Sequence, residues 1–219
     1  MSDYSIVKPL LDVAVIRYNH IDFIENDPIQ IPHRFSRKED IEIAGFLAAA
    51  ISWGQRKTII NNAHRLMDLM DNSPYNFVME GKDFDAVTRF IHRTFNGVDC
   101  GFFLRSLRNI YLHHGGLERV FTDGFHAEKT IFGALKHFRS VFLEIPHEKR
   151  TEKHLSDVAS NSSAKRLNMF LRWMVRKDEQ EVDFGLWQDI PASALMLPLD
   201  VHTGDVSRAL GLLQRKQND

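Results

Sequence analysis

The chain has 219 residues, 43% of them hydrophobic and 26% charged, which is the balance of an ordinary globular protein long enough to bury a substantial core. Its net charge of −1 argues against a nucleic-acid binder built on bulk charge; no apolar run reaches the roughly 18 residues of a membrane span, and the polar start lacks a signal-peptide layout. Cys100 is the single cysteine, which excludes an internal disulfide, a four-cysteine iron–sulfur cluster and a cysteine-built zinc site, so a cytoplasmic protein is expected.

Helical signals dominate from Ser36 onward. Ser36-Arg37-Lys38-Glu39 has the spacing of a capping box, with Ile43, Phe46, Leu47, Ala50 and Ile51 on one face and Gly54 as a stop. Gln55-Arg56-Lys57 opens a second helix that buries Ile59, Ala63, Leu66, Met67 and Met70, and Asp71-Asn72-Ser73-Pro74 reads as a loop. Asp99 is placed to cap a helix carrying Phe103, Leu107 and Ile110 that ends at His113-His114-Gly115-Gly116. A further helix is expected over about 127–144, followed by a polar loop over roughly 146–163.

A basic helix follows at about 164–177. Leu167, Phe170, Leu171 and Met174 form its apolar face, and Lys165, Asn168, Arg172 and Arg176 align along another. Val182–Trp187 is a connector or a short helix. Leu197-Pro198-Leu199 then delivers Asp200 to the N-cap of a last short helix that stops at Gly211. Without convincing strands or repeats, the class is all-α: one unit over 1–219, with an N-terminal lobe of roughly 1–35 packing with the C-terminal end and a helical core of roughly 36–212.

A lysine and an aspartate that meet in a helical cleft can carry out one well-defined chemistry. The amine attacks an electrophilic carbon and forms a Schiff base, while the carboxylate activates the amine or stabilises positive charge on a sugar ring. An N-glycosidic bond suits the pair, and its nucleotide would have to leave the base stack to reach them. The 11 histidines contain no HExxH pattern, so no metal site is expected and no cofactor is called for.

Ser163–Arg172, Leu197–His202 and Val206–Leu212 together resemble the second half of the helix-hairpin-helix DNA glycosylase superfamily, and Asn168–Arg172 is similar to its archaeal 8-oxoguanine glycosylase branch. Upstream, Ile43–Gln55 resembles the superfamily's first conserved helix. The whole chain resembles more closely an uncharacterised bacterial family carrying the DUF2400 domain, through Asp40–Ala49, Lys165–Arg176 and Pro198–His202. The superfamily resemblance implies two helical lobes around a cleft, DNA as partner, Lys165 as nucleophile and Asp200 as catalytic carboxylate. It implies nucleic-acid contacts from Gln55, Arg56, Lys57, Ser162, Ser163, Arg166, Arg172, Arg176, His202 and Arg208, with Trp53 and Asn168 at the substrate pocket. It also implies a closing helical segment after Lys216, so a truncated C-terminus is expected here.

The chain departs from that pattern in two places. A glycine-rich phosphate-binding hairpin is absent, with Ser160-Asn161-Ser162-Ser163 and Ile190-Pro191-Ala192-Ser193 the nearest substitutes. Lys165 and Asp200 also stand 35 residues apart, a longer interval than the superfamily's. Plainer roles remain open for the same residues. Asp200 can be purely a cap, Lys165 a solvated first-turn lysine, Trp53 a core anchor, and Arg172 and Arg176 partners of acidic residues such as Glu179 and Asp183. Those roles fit a catalytically silent nucleic-acid-binding protein or a helical interaction protein.

Overall fold

Small residues around Phe46 set the centre of the molecule. The computed structural model describes residues 5–81 and 84–218, which are all-α, with a lone His92–Phe95 bridge as their only β feature. Helix α1 (Val7–Tyr18) is followed by three 3-10 turns, then by α2 (Lys38–Ala50), α3 (Arg56–Leu69), α4 (Pro74–Glu80) and α5 (Gly97–His113). Helices α6 (Leu117–Glu128) and α7 (Ile131–Phe142) form a hairpin, and α8 (Lys165–Val175) and α9 (Val201–Ala209) complete the order.

Helix α2 is buried from Ile41 to Ala50. A Cβ on Gly45 would stand 3.2 Å from Met174 Cε, so the glycine lets α8 approach closely. Phe46 reaches the rings of Phe103, Phe138, Phe142 and Phe170 at centroid distances of 5.9, 5.5, 5.3 and 5.7 Å. These contacts, stacked with Phe103, tilted with Phe142 and edge-on with Phe138 and Phe170, draw α5, α7 and α8 around α2. Helices α6 and α7 meet backbone to backbone: a Cβ on Gly124 would lie 2.9 Å from the Gly133 carbonyl oxygen, and one on Gly133 would lie 3.0 Å from that of Gly124.

Glu42 is the one charged side chain on the buried stretch of α2. Its Oε2 accepts from the Tyr111 hydroxyl at 2.6 Å and its Oε1 from Trp187 Nε1 at 2.7 Å. Burial raises its pKa even though these donors, and Lys38 Nζ at 3.9 Å, favour the charged form. A cavity of about 330 Å³ opens beside Glu42 and Tyr111.

Several local expectations are corrected. Helix α2 begins at Lys38 with Arg37 in the cap position and no side-chain cap, because the Glu39 carboxylate takes the Arg37 Nε–H at 3.0 Å instead of completing a box with Ser36. Asp99 does not cap α5; Asn96 does, and Asp99 sits three residues into the helix, where it closes the capping box by accepting from the Asn96 N–H at 2.9 Å. The helix expected over 127–144 starts at Ile131, since Lys129 turns left-handed and Thr130 caps Gly133 N at 3.0 Å. Helix α6 precedes it directly. At the other end, Asp200 caps α9 through Thr203 N at 2.8 Å, and Gly211 follows the helix at a φ of +71°.

The N-terminal segment rests on the chain after α8 and on α3. Asn19 bonds Arg176 and Asp178, His33 Nε2 donates to the Val182 carbonyl at 3.0 Å, and Gln30 Oε1 lies 3.0 Å from His64 Nε2.

Candidate functional site

Lys165 and Asp200 meet. Helix α8 opens with Lys165, directly after Ala164, which takes a left-handed φ of +44°. The extended Leu195–Leu199 stretch carries Asp200 to the start of α9. Lys165 Nζ donates to Asp200 Oδ2, while Asp200 Oδ1 holds the Thr203 N–H. The lysine side chain is 45% exposed and the aspartate 28%. Partial burial pushes the Asp200 pKa upward, but hydrogen bonds from Lys165 and Thr203 outweigh it and hold the carboxyl down at about 2.

Lys165 and Thr203, both bonded to Asp200, line a cleft of about 310 Å³. Lys165, Arg166, Met169, Arg172 and Trp173 of α8 form one side; Ala49 and Ser52 at the end of α2 form another. Asp27-Pro28 and Leu197-Pro198 close it. A neighbouring cavity of about 430 Å³ shares Lys165, Arg166, Pro28 and Ser52, and extends to Trp53, Gly54 and Arg56. Lys165 therefore borders both.

Trp53 belongs to a packed wall. Its ring stacks on His154 with centroids 5.8 Å apart, meets His92 edge-on at 4.8 Å, and carries the Arg166 guanidinium over its face at 4.8 Å. Arg166 donates to the Ala50 carbonyl and, at 3.2 Å, to that of His154. It thereby ties α8 to the end of α2, and burial lowers its pKa. Behind the wall, fully buried Asp99 accepts from Arg150 and Thr151, each at 2.8 Å, with His154 Nε2 3.3 Å away. Burial lowers the pKa of His92 and of His154.

The expected nucleic-acid contacts separate into two groups. Gln55, Arg56 and Lys57 are exposed at the start of α3 beside the second cavity, and His202 is exposed on the first turn of α9. Ser162 caps Ala164 N at 3.2 Å, and the Ser163 carbonyl accepts from Asn168 Nδ2 at 2.9 Å, so both shape the start of α8. Arg172 and Arg176, by contrast, both donate through Nε to buried Asp183, and Arg176 also pairs with Asp178 at 3.0 Å. Glu179 forms no such pair among the described residues. Arg208 clasps the Arg215 and Lys216 carbonyls at 2.9 and 2.6 Å.

Asn168 does not share a pocket with Trp53. It is buried on α8 and lines an apolar groove of about 800 Å³, whereas Trp53 lines the cavity that Lys165 and Arg166 share. Asp27, Ser52, Met169 and Trp173 are cleft residues that sequence patterns do not single out. Asp27-Pro28 carries a turn signal, but only tertiary packing brings it opposite Lys165.

Residues 27–219 match the model of a family described as protein of unknown function (DUF2400). No curated protein and no solved structure matches the chain. The chain belongs to the DUF2400 family.

Proposed function

We propose that this DUF2400 protein binds DNA and excises a damaged base, with Lys165 as nucleophile and Asp200 as the carboxylate that serves it, on an architecture like that of the helix-hairpin-helix glycosylases. The observation that carries the reading is the Lys165–Asp200 contact beside a cleft that Lys165 lines, made between a helix-opening lysine and a helix-capping aspartate 35 positions apart. A substrate that displaces water from this contact weakens the solvation of both charges and favours passage of the ammonium proton to the carboxylate. The neutral amine then attacks C1′ of an extruded nucleotide. The Nζ–C1′ bond forms as the C1′–N bond breaks, and the bonding pair leaves with the base. The departing base takes the proton held by Asp200. One proton of the attached amine passes to O4′ as the C1′–O4′ bond breaks, and the nitrogen pair closes the C=N bond of a protonated Schiff base. Gln55, Arg56, Lys57 and His202 carry the strand contacts in this reading, while Arg166 and Arg172 line the cleft and Arg176 and Arg208 hold neighbouring segments in place.

A second reading, a helical protein without nucleic-acid binding, is favoured by the engagement of Arg172 and Arg176 with Asp183. Borohydride trapping separates the two. Duplexes containing 8-oxoguanine, uracil or an abasic site are incubated with the wild type and with Lys165→Gln. A covalent adduct formed by the wild type and lost in the variant is expected. No adduct with any of the three overturns the enzymatic reading, and DNA affinity that ignores added salt overturns DNA binding as well.

A further inference from the structure

The cleft holds a second carboxylate that the Lys165–Asp200 chemistry leaves unused. Asp27 is 8% exposed, yet its side chain lines the cleft that Lys165 borders. Oδ1 accepts the Ile29 N–H at 3.0 Å, which fixes the side chain, and among the described residues Oδ2 has no hydrogen-bond partner. Two further polar groups face the same space. The Ser52 hydroxyl donates to the Ala48 carbonyl at 2.7 Å, so its oxygen remains an acceptor. Arg172 is anchored to Asp183 through Nε at 3.1 Å, and no described residue takes its two Nη groups. Pro28, Ala49, Met169, Trp173, Leu197 and Pro198 supply apolar walls, and Lys165, Arg166 and Thr203 complete the lining.

We infer that Asp27 reads the hydrogen-bonding edge of a nucleobase seated in this cleft, with Arg172 and Ser52 as its polar neighbours. This rests on the glycosylase reading for the class of ligand. Phosphate would have to face the Asp27 carboxyl, and of the lining cations Lys165 is already paired with Asp200 and Arg166 with backbone carbonyls. A sugar would need hydrogen bonds on every side, whereas this lining offers them on few. A nitrogen heterocycle has apolar faces for the walls and donors and acceptors on its rim for the three polar groups. The volume, at the small end of ligand sites, suits one ring system. Burial raises the Asp27 pKa against the opposing pull of the Ile29 N–H and of nearby Arg56 and Arg172, with Asp183 adding to the rise. Its carboxyl therefore keeps a proton more readily than a solvated one.

The test needs no catalysis. Free adenine, cytosine, uracil and 8-oxoguanine are offered to the full chain in saturation-transfer NMR, with ribose and inorganic phosphate alongside. At least one base should bind while ribose and phosphate do not. Asp27→Asn keeps the cap on Ile29 but exchanges an acceptor for an amide donor, and should weaken that base about tenfold. In the wild type, the Asp27 carboxyl ¹³C resonance must also move as the base is added, a readout that holds even if the variant fails to fold. Absence of base binding, a stationary Asp27 resonance, or undiminished affinity in folded Asp27→Asn overturns the inference. Asp27-dependent base binding without any borohydride adduct would sink the Schiff-base reading and leave this one standing; an adduct without base binding would do the reverse.

Discussion

Replacing Glu42 with leucine tests the buried polar network at the centre of the fold. Trp187 is 1% exposed, and the substitution leaves its indole N–H without an acceptor, at a cost of about 1–3 kcal/mol. The Tyr111 hydroxyl loses the same partner but borders the cavity of about 330 Å³, where water can replace it, so it adds about 1 kcal/mol or less. Relief of carboxylate desolvation offsets part of this. The net loss at pH 7 is about 2–3 kcal/mol, which for a chain of this length lowers Tm by about 4–12 °C. Because burial raises the Glu42 pKa above its ordinary 4.5, the folded wild type holds a proton that the unfolded chain has already released across that window. The stabilisation from this group is complete below pH 4.5 and is lost as pH rises through the folded pKa. Leucine does not titrate, so the stability gap between wild type and variant should widen as pH falls from 7 toward 4.5. Urea melts across that range measure the gap. A gap that narrows in acid, or a variant as stable as the wild type at pH 7, refutes the reasoning.

Removing the amine in Lys165→Gln should let the Asp200 pKa climb from about 2 toward its ordinary 3.8, readable by carboxyl NMR titration. The depressed value means the pair stabilises above pH 3.8 and fails as pH falls toward 2; both partners meet solvent, so about 1 kcal/mol or less is expected. Asp183→Asn strips the shared carboxylate from Arg172 and Arg176, and since Asp183 is 4% exposed the loss should be about 3 kcal/mol by urea denaturation; a loss below about 1 kcal/mol would show the arginines to be solvated independently. The Cys100 thiol is fully buried, and burial together with Asp99 pushes its pKa far above the ordinary thiol range. It should ignore Ellman's reagent in the native protein and react fully in guanidinium, and prompt native labelling would contradict the packing around it.

Legibility followed the range of the interactions involved. Helices α2, α3, α5, α8 and α9 announce themselves through apolar periodicity, and the Asp200 cap and Gly211 stop were readable because capping is decided within a few residues. Helix α6 was not, since it starts directly after Gly115-Gly116 and is separated from α7 only by Lys129 and Thr130. Helix α1 has no buried residue, so no core-facing pattern marks it. At the site, the meeting of Lys165 with Asp200 was reached through chemistry and resemblance. The fates of Arg166, Arg172 and Arg176 were not, because a basic helix face has one sequence signature whether it meets solvent, an indole ring or a buried carboxylate. Asp27 lies 138 positions before Lys165 by the numbering, beyond the reach of any local rule.

The glycine-to-glycine contact of α6 and α7 bears on the order in which the molecule comes apart. That hairpin closes over a short loop, so its contacts are recovered quickly and at small entropic cost. The cleft has no such advantage. It is stitched from stretches near residues 27, 52, 165 and 200, each held by long loop closures. On warming, those stretches are expected to separate while the hairpin still exchanges its amides slowly. The cleft should then lose its shape at a lower temperature than the helix content falls, which amide exchange near residues 27, 52, 165 and 200 set against that of α6 and α7 checks.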